Sequence, residues 1–208
     1  MNPYSHLVVA SELEAAVAPD DIQEYYWGAI APDIRYIAGM QRQQTHLPPQ
    51  DIMDSIYRYP HLRSFLQGYL VHCLCDEIEL DRIFSSHFPF FIIKNKMTPK
   101  KSAVLLELFY LENKRVDFQI SGTCNEFMQD LGLSRDLTDR FSRAISRYTA
   151  LKSPQAGLGK LLQLLGLEGD PRINSYVASA ESFQKSWLKK NILFLAIKAG
   201  GIHRSVVS

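Results

Sequence analysis

An all-α fold is predicted for this chain on three features of its sequence. Apolar residues recur near a 3.6-residue period over most of the length, Pro, Gly and Ser stand where such patterns start and stop, and alternating apolar–polar runs are scarce. At 208 residues, with 46% hydrophobic and 22% charged residues, the chain is expected to form a single compact multi-helix domain over 1–208. That length suffices for one good core and falls short of two large domains.

The elements follow in order. Residues 5–17 place Leu7, Val8, Ala10, Leu13 and Ala16 near helical spacing, so a first helix is expected to open at His6 and stop before Pro19. Segment 22–31, IQEYYWGAIA, reads as a short helix ending at Pro32, which pushes Ala31 out of helical geometry and leaves Asp33 on a turn or loop. Periodicity is weak over 34–47, where a loop or short helix is expected to hold His46. Pro48-Pro49 ends it and opens a helix at 50–58. Beyond Pro60, residues 61–84 are expected to run as one long amphipathic helix carrying His72 and Asp76. After a turn around Pro89, helices are expected at about 99–114, 123–131, 134–151, 155–166, 170–180 and 180–199, with Ser134 as an N-cap and Gly200-Gly201 as a stop. VDFQI at 116–120 is the best strand candidate, and it has no strand to pair with.

Composition narrows the class of function. The 23 basic and 22 acidic residues nearly cancel, which removes the global field that draws nucleic acid or anionic membranes to a basic protein. Lys94, Lys96, Lys100 and Lys101 make at most a local basic patch. Cys73, Cys75 and Cys124 are an odd number without a disulfide framework, which points to a reducing compartment and so to a cytoplasmic protein. The amino-terminal segment lacks the basic and apolar regions of a secretion signal, and no apolar stretch reaches the ~18–20 residues needed to span a bilayer.

The chemistry-bearing residues cluster in the first half. His72 and Asp76 are four apart on a predicted helix, with Cβ atoms roughly 5–6 Å apart on one face. They read either as joint ligands of an ion or as a polar core residue with its partner. His6, Asp33 and His46 all fall at element ends or beside Pro and Gly, and the five together form a His/Asp set suited to zinc or a similar ion. Tyr25, Tyr26, Trp27 and Tyr36 surround Asp33 in sequence, as core or as pocket lining. His61 and His203 are lone histidines, and Cys-x-Cys at 73–75 without a second pair is a poor zinc signal.

Four blocks, NPYSHLVVA, WGAIAPDIRY, QQTHL and GYLVHCLCDEI, occur in an order that resembles the zinc-dependent phospholipase C family, whose helical fold is shared with single-strand-specific nucleases. The likeness lies in an early His, a Gly-x-x-x-Pro-Asp turn, a Thr-His about a dozen residues later and a helix with Gly…His-x-x-x-Asp, all within residues 5–78. The resemblance implies that Asp33, His46, His72 and Asp76 bind one metal ion, that His6 with Asp76 helps hold a second, and that Asp76 bridges. It implies one or two zinc ions, with manganese or iron as alternatives, and hydrolysis of a phosphodiester, phospholipid-like or small phosphorylated substrate. Asp33 or Asp76 would orient the attacking water or take its proton.

The chain also departs from that pattern. Family members place a further His six residues after the helical Asp, where this chain has Arg82, so the third metal of the family is not expected here. His87, Glu77, Glu79 and Asp81 lie nearby and do not match the motif. Arg82 would contact phosphate if it faces the cleft, or form a surface ion pair. Secreted members also ligate metal with a processed amino terminus, and one ligand of the second ion is expected to be missing here. The alternative to hydrolysis is a metal-binding scaffold, or a member that runs different metal chemistry.

Overall fold

The computed structural model of the chain describes residues 2–87, 98–114, 118, 122–151, 157–167 and 178, and every regular element among them is helical. Helix α1 spans Pro3–Val17. Pro3 suits its first position, where a missing N–H is no loss, but Asn2 gives no side-chain cap. The cap comes from a distant acid. Glu107 accepts from the Tyr4 and Ser5 amides at 3.0 and 2.6 Å and from the Ser5 hydroxyl at 2.7 Å, placing a carboxylate on the positive end of the helix dipole. At the other end Ala18 adopts a left-handed conformation, φ 48°, its amide donates to the Glu14 carbonyl, and Pro19 follows.

Helix α2 spans Ile22–Gly28, with Asp21 accepting from the amides of Gln23 and Glu24 as its N-cap. It packs on α6, Arg63–Glu77, and two glycines set the separation. A Cβ on Gly28 would lie 1.9 Å from the Phe65 carbonyl oxygen, and one on Gly68 would lie 1.9 Å from that of Tyr25. The two backbones therefore touch, which only residues without a side chain permit.

Between α2 and α6 the chain makes short turns. A 3₁₀ turn over Ala31–Ile34 leads into α3, Arg35–Ala38, which Gly39 ends at φ 67°. Helix α4, Arg42–Thr45, opens on a reciprocal capping box between Gln41 and Gln44. Helix α5, Pro49–Arg58, lies against α6, and a 3₁₀ turn at Pro60–Leu62 joins them. The later helices are α7 (Leu80–His87), α8 (Pro99–Asn113), α9 (Glu126–Asp130), α10 (Arg135–Ala150) and α11 (Gly157–Leu165). Helix α1 packs on α8 and α6, and α10 packs on α11.

The core is aromatic. Tyr25, Trp27, Phe65, Tyr69, Tyr110, Phe141 and Tyr148 are fully buried, and the polar tips find partners. Tyr25 Oη donates to the Ala10 carbonyl at 3.0 Å, Trp27 Nε1 to the Thr123 carbonyl at 3.1 Å, and Tyr148 Oη to Glu107 at 2.8 Å. Tyr25, Tyr26 and Trp27 are therefore core residues.

Three expectations need correction or placement. The single helix over 61–84 is divided: α6 ends at Glu77, Ile78 is extended (φ −69°, ψ 121°), and α7 starts at Leu80. Apolar spacing continues through the break because Leu80 is buried and Ile78 and Ile83 are half-buried on the same core, so periodicity is blind to it. The break sets Asp81 in the first turn of a new helix, where the dipole favours an acid. The helix expected over 22–31 stops earlier, at Gly28, and Asp33 lies in the 3₁₀ turn. The strand candidate at 116–120, apart from Phe118, the turn at Pro89 and the helices expected over 170–199, apart from Ala178, lie outside the described residues. No helix among the described residues is long and apolar enough to cross a membrane.

Candidate metal centre

Each candidate ligand reaches the centre by a different local device. His6 sits in the second turn of α1, which Glu107 anchors. Asp33 is presented by the 3₁₀ turn that Pro32 enforces. His46 is the C-cap of α4, where helical geometry has already ended. His72 and Asp76 project from one face of α6, four residues apart, as their spacing requires.

The five side chains converge. His46 Nε2 and His72 Nε2 are 3.2 Å apart, His46 Nε2 is 3.0 Å from Asp76 Oδ2, and His6 Nε2 is 3.2 Å from Asp76 Oδ1. His72 Nε2 lies 4.0 Å from Asp33 Oδ1 and 3.9 Å from Asp76 Oδ2. Donors bound at ~2.0–2.1 Å to one ion stand roughly 3–4 Å apart, so these separations fit a first coordination sphere. His6, Asp33 and His72 offer donor atoms within 4.8 Å of one another, and so do His46, His72 and Asp76. His72 belongs to both groups, and Asp76 reaches His6 with one oxygen and His46 with the other.

Hydrogen bonds orient the rings. His72 Nδ1 lies 2.8 Å from the Ala29 carbonyl, which can only accept; Nδ1 is therefore the donor and the Nε2 lone pair faces the cluster. His46 Nδ1 pairs with Thr45 Oγ1 at 3.1 Å. His6 stacks on His72, with ring centroids 3.7 Å apart and an interplanar angle of 17°. Both ring nitrogens of His6 are buried; Nδ1 has no hydrogen-bond partner among the described residues, and Nε2 has only Asp76 Oδ1, 3.2 Å away, as a neighbour. An unsatisfied buried imidazole is costly in a purely structural network and is what a metal ligand looks like before the ion is counted.

The electrostatics agree with that role. Burial lowers His6 to about 4, lowers His46, and with the His6 charge lowers His72 well below the histidine range, so all three rings are neutral at pH 7 with lone pairs to give. Burial, then the Asp76 charge, raises the Asp33 carboxyl to about 7. Burial pushes Asp76 the same way, but the positive charges nearby and the His46 and His6 rings beside its two oxygens hold it well below the usual carboxylate range. The cluster thus holds one firmly ionised carboxylate and one that exchanges its proton near neutrality.

One member went unnoticed in the sequence. Arg42 Nη1 donates to Asp76 Oδ2 at 2.6 Å. It lies one helical turn before His46 in GMQRQQTH, and an Arg-x-x-x-His spacing beside a candidate ligand is the signal that marked it. Arg82 is elsewhere: its side chain is 77% exposed and its guanidinium pairs with Glu79, the surface ion pair that was one of its two expected roles. His61 is exposed beside Glu126 at 3.4 Å. Cys73 and Cys75 are buried free thiols, each pushed up to about 12 by burial, and neither joins the cluster. Lys94, Lys96 and His203 lie outside the described residues, as does the side chain of His87.

Fold and centre together define an all-helical protein with buried His/Asp groups that can hold a metal ion. Comparison with family models, with curated proteins and with solved structures finds no match for this chain.

Proposed function

We propose that this protein is a metal-dependent hydrolase of phosphoric esters, of the zinc-dependent phospholipase C kind, with zinc held by His6, Asp33, His46, His72 and Asp76. The observation that carries the proposal is convergence: donors from α1, the 3₁₀ turn, the end of α4 and α6 meet at ligand–ligand distances around buried His6 and His72. Three imidazoles and two carboxylates form a borderline-soft donor set that suits zinc and also accepts manganese or iron.

A bound pair of such ions supplies Lewis-acid polarisation of a phosphoryl oxygen and an ionised water near neutral pH. The chain's own groups divide the remaining tasks. Asp33, presented beside His72 by the 3₁₀ turn, would hold the metal and orient the attacking water. Asp76, ionised throughout, reaches His6 with Oδ1 and His46 with Oδ2 and so spans the two ligand groups, while Thr45 Oγ1 orients the His46 ring through Nδ1. The Ala29 carbonyl keeps the His72 tautomer that directs Nε2 inward. The substrate class that fits is a phosphodiester or phosphomonoester, lipid-like or small.

Burial favours an alternative, a structural ion without hydrolysis, since the five ligand side chains are no more than 6% exposed. Elemental mass spectrometry of protein purified without chelators, followed by assay of a generic phosphodiester, decides. About one or two zinc equivalents, absent from His72→Ala/Asp76→Ala, together with zinc-dependent turnover support the hydrolase. Metal without turnover supports the structural ion, and no metal in the wild type ends both.

A further inference from the structure

We infer that Arg42, assisted by Arg35, is the anion-binding element of this centre and takes the phosphoryl oxygens of the substrate. The inference rests on the proposed hydrolase function and names the group that receives its substrate.

Exposure identifies the mouth of the site. The side chains of His6, His46, His72, Asp33 and Asp76 are between 0 and 6% exposed, whereas that of Arg42 is 42% exposed. Arg42 is the member of the cluster that meets solvent, so an incoming ligand encounters it first. Its hold on Asp76 uses Nη1 alone, and a guanidinium carries five N–H donors in a fixed fork. The remaining donors are available in the geometry that matches two oxygens of a phosphate. The short α4 carrying Arg42 is itself held: the capping box fixes its start, and Tyr69 Oη donates to the Thr45 carbonyl at its end.

Arg35 is placed two residues beyond Asp33 and is pre-organised. Its guanidinium lies 4.0 Å from the centre of the Tyr36 ring, and Nη2 donates to Tyr36 Oη at 2.6 Å. Its Nε is buried and has no acceptor among the described residues. A rigid guanidinium with an unfilled buried donor is satisfied by an oxyanion. Arg42 is tied directly to the cluster through Asp76, and Arg35 follows Asp33 by two residues at the end of the 3₁₀ turn that presents it.

Net charge selects the ligand. Metal ligation would keep Asp33 and Asp76 ionised; Arg35 and Arg42 cancel those two charges, so each divalent ion bound leaves the neighbourhood at a net positive charge. An anion, above all a phosphate dianion, is drawn to such a site, and a neutral substrate is not. Arg82, paired with Glu79 at the surface, has no part in this.

The test is calorimetric titration of inorganic phosphate into zinc-loaded protein freed of excess metal, with zinc content and melting temperature measured on every variant. Arg42→Gln is expected to weaken phosphate binding by about tenfold or more and Arg35→Gln by about threefold or more, with zinc content unchanged. Arg42→Lys is expected to recover part of the affinity, since a point charge lacks the fork. Wild-type affinity in both glutamine variants overturns the inference, and so does zinc-loaded wild type that binds no phosphate. Loss of zinc from Arg42→Gln overturns it too, making Arg42 a positioning residue for Asp76. A wild type that holds no zinc but binds phosphate through Arg42 sinks the hydrolase and keeps the anion site; zinc without phosphate binding keeps the metal centre and sinks the anion site.

Discussion

Glu107, midway along α8, holds the Ser5 amide at 2.6 Å and the Ser5 hydroxyl at 2.7 Å, one residue before His6. The His/Asp cluster is therefore tied to a part of the chain that supplies no member to it. Glu107→Ala would leave the Tyr4 and Ser5 amides and the Tyr148 hydroxyl without their acceptor. A loss of about 2–4 kcal/mol in urea unfolding is expected, along with weaker zinc retention, because α1 aims His6. Unchanged stability would mean that α1 is held by packing alone.

Glu107 also carries a pH signature. Burial raises its carboxyl value in spite of the donors around it, so the folded state binds its proton more tightly than the unfolded state. Its contribution is fully present below the ordinary glutamate range and is lost as pH rises through the raised value. The stability of Glu107→Gln relative to wild type is therefore expected to improve as pH rises through that window, which urea midpoints across the range would measure.

The histidines act in the opposite sense. His6 is lowered to about 4 in the fold, against 6.5 for an ordinary histidine, so the metal-free protein gains stability from it above 6.5 and loses that stability as pH falls towards 4. Asp33, raised to about 7, contributes in acid and loses its contribution as pH rises to that value. His6→Asn is expected to flatten the acid loss of the chelated protein. An acid limb of the same slope in the variant would show that His6 is not buried as a neutral ring.

Gly68→Ala brings a Cβ to 1.9 Å from the Tyr25 carbonyl oxygen, a backbone atom that cannot rotate away. Helices α2 and α6 must then separate, moving Ala29 from His72 and Asp33 from the cluster. A cost of about 3 kcal/mol or more is expected, with reduced zinc content in the fraction that folds. Normal stability and normal zinc would contradict the close helix contact.

Arg82→Ala serves as the contrast. The residue is exposed and pairs with Glu79, which immediately precedes α7, so stability is expected to change by no more than about 0.5 kcal/mol, with zinc content and phosphate affinity unchanged. A loss of phosphate affinity in this variant would return Arg82 to the substrate site.

The ligand candidates were legible because their chemistry is written locally. His72 and Asp76 share a face whenever their segment is helical, Pro32 forces the turn that presents Asp33, and Pro48-Pro49 ends the segment that holds His46. Two helix starts were legible for the same reason: Ser134 accepts from the Leu137 amide, and Pro49 occupies the first turn of α5, whereas α1 starts at Pro3, ahead of the opening expected at His6. The break at Ile78 was not legible, because Ile78, Leu80 and Ile83 keep an apolar rhythm that suits a straight helix as well as a divided one. The aromatic run at Tyr25–Trp27 could serve a core or a pocket, and only packing chose the core.

Residue type, proline position and helical period by themselves determined an all-helical chain with a His/Asp set in its first half, since each depends on interactions within a few residues. The tertiary structure alone decided that Arg42 rather than Arg82 meets the cluster, that Glu107 caps α1, that His6 is buried against His72 and Asp76, and that burial and neighbouring charge shift Asp33 and Asp76 in opposite directions. These depend on burial and on contacts between residues distant in sequence, where desolvation and neighbouring charge outweigh anything a local pattern records.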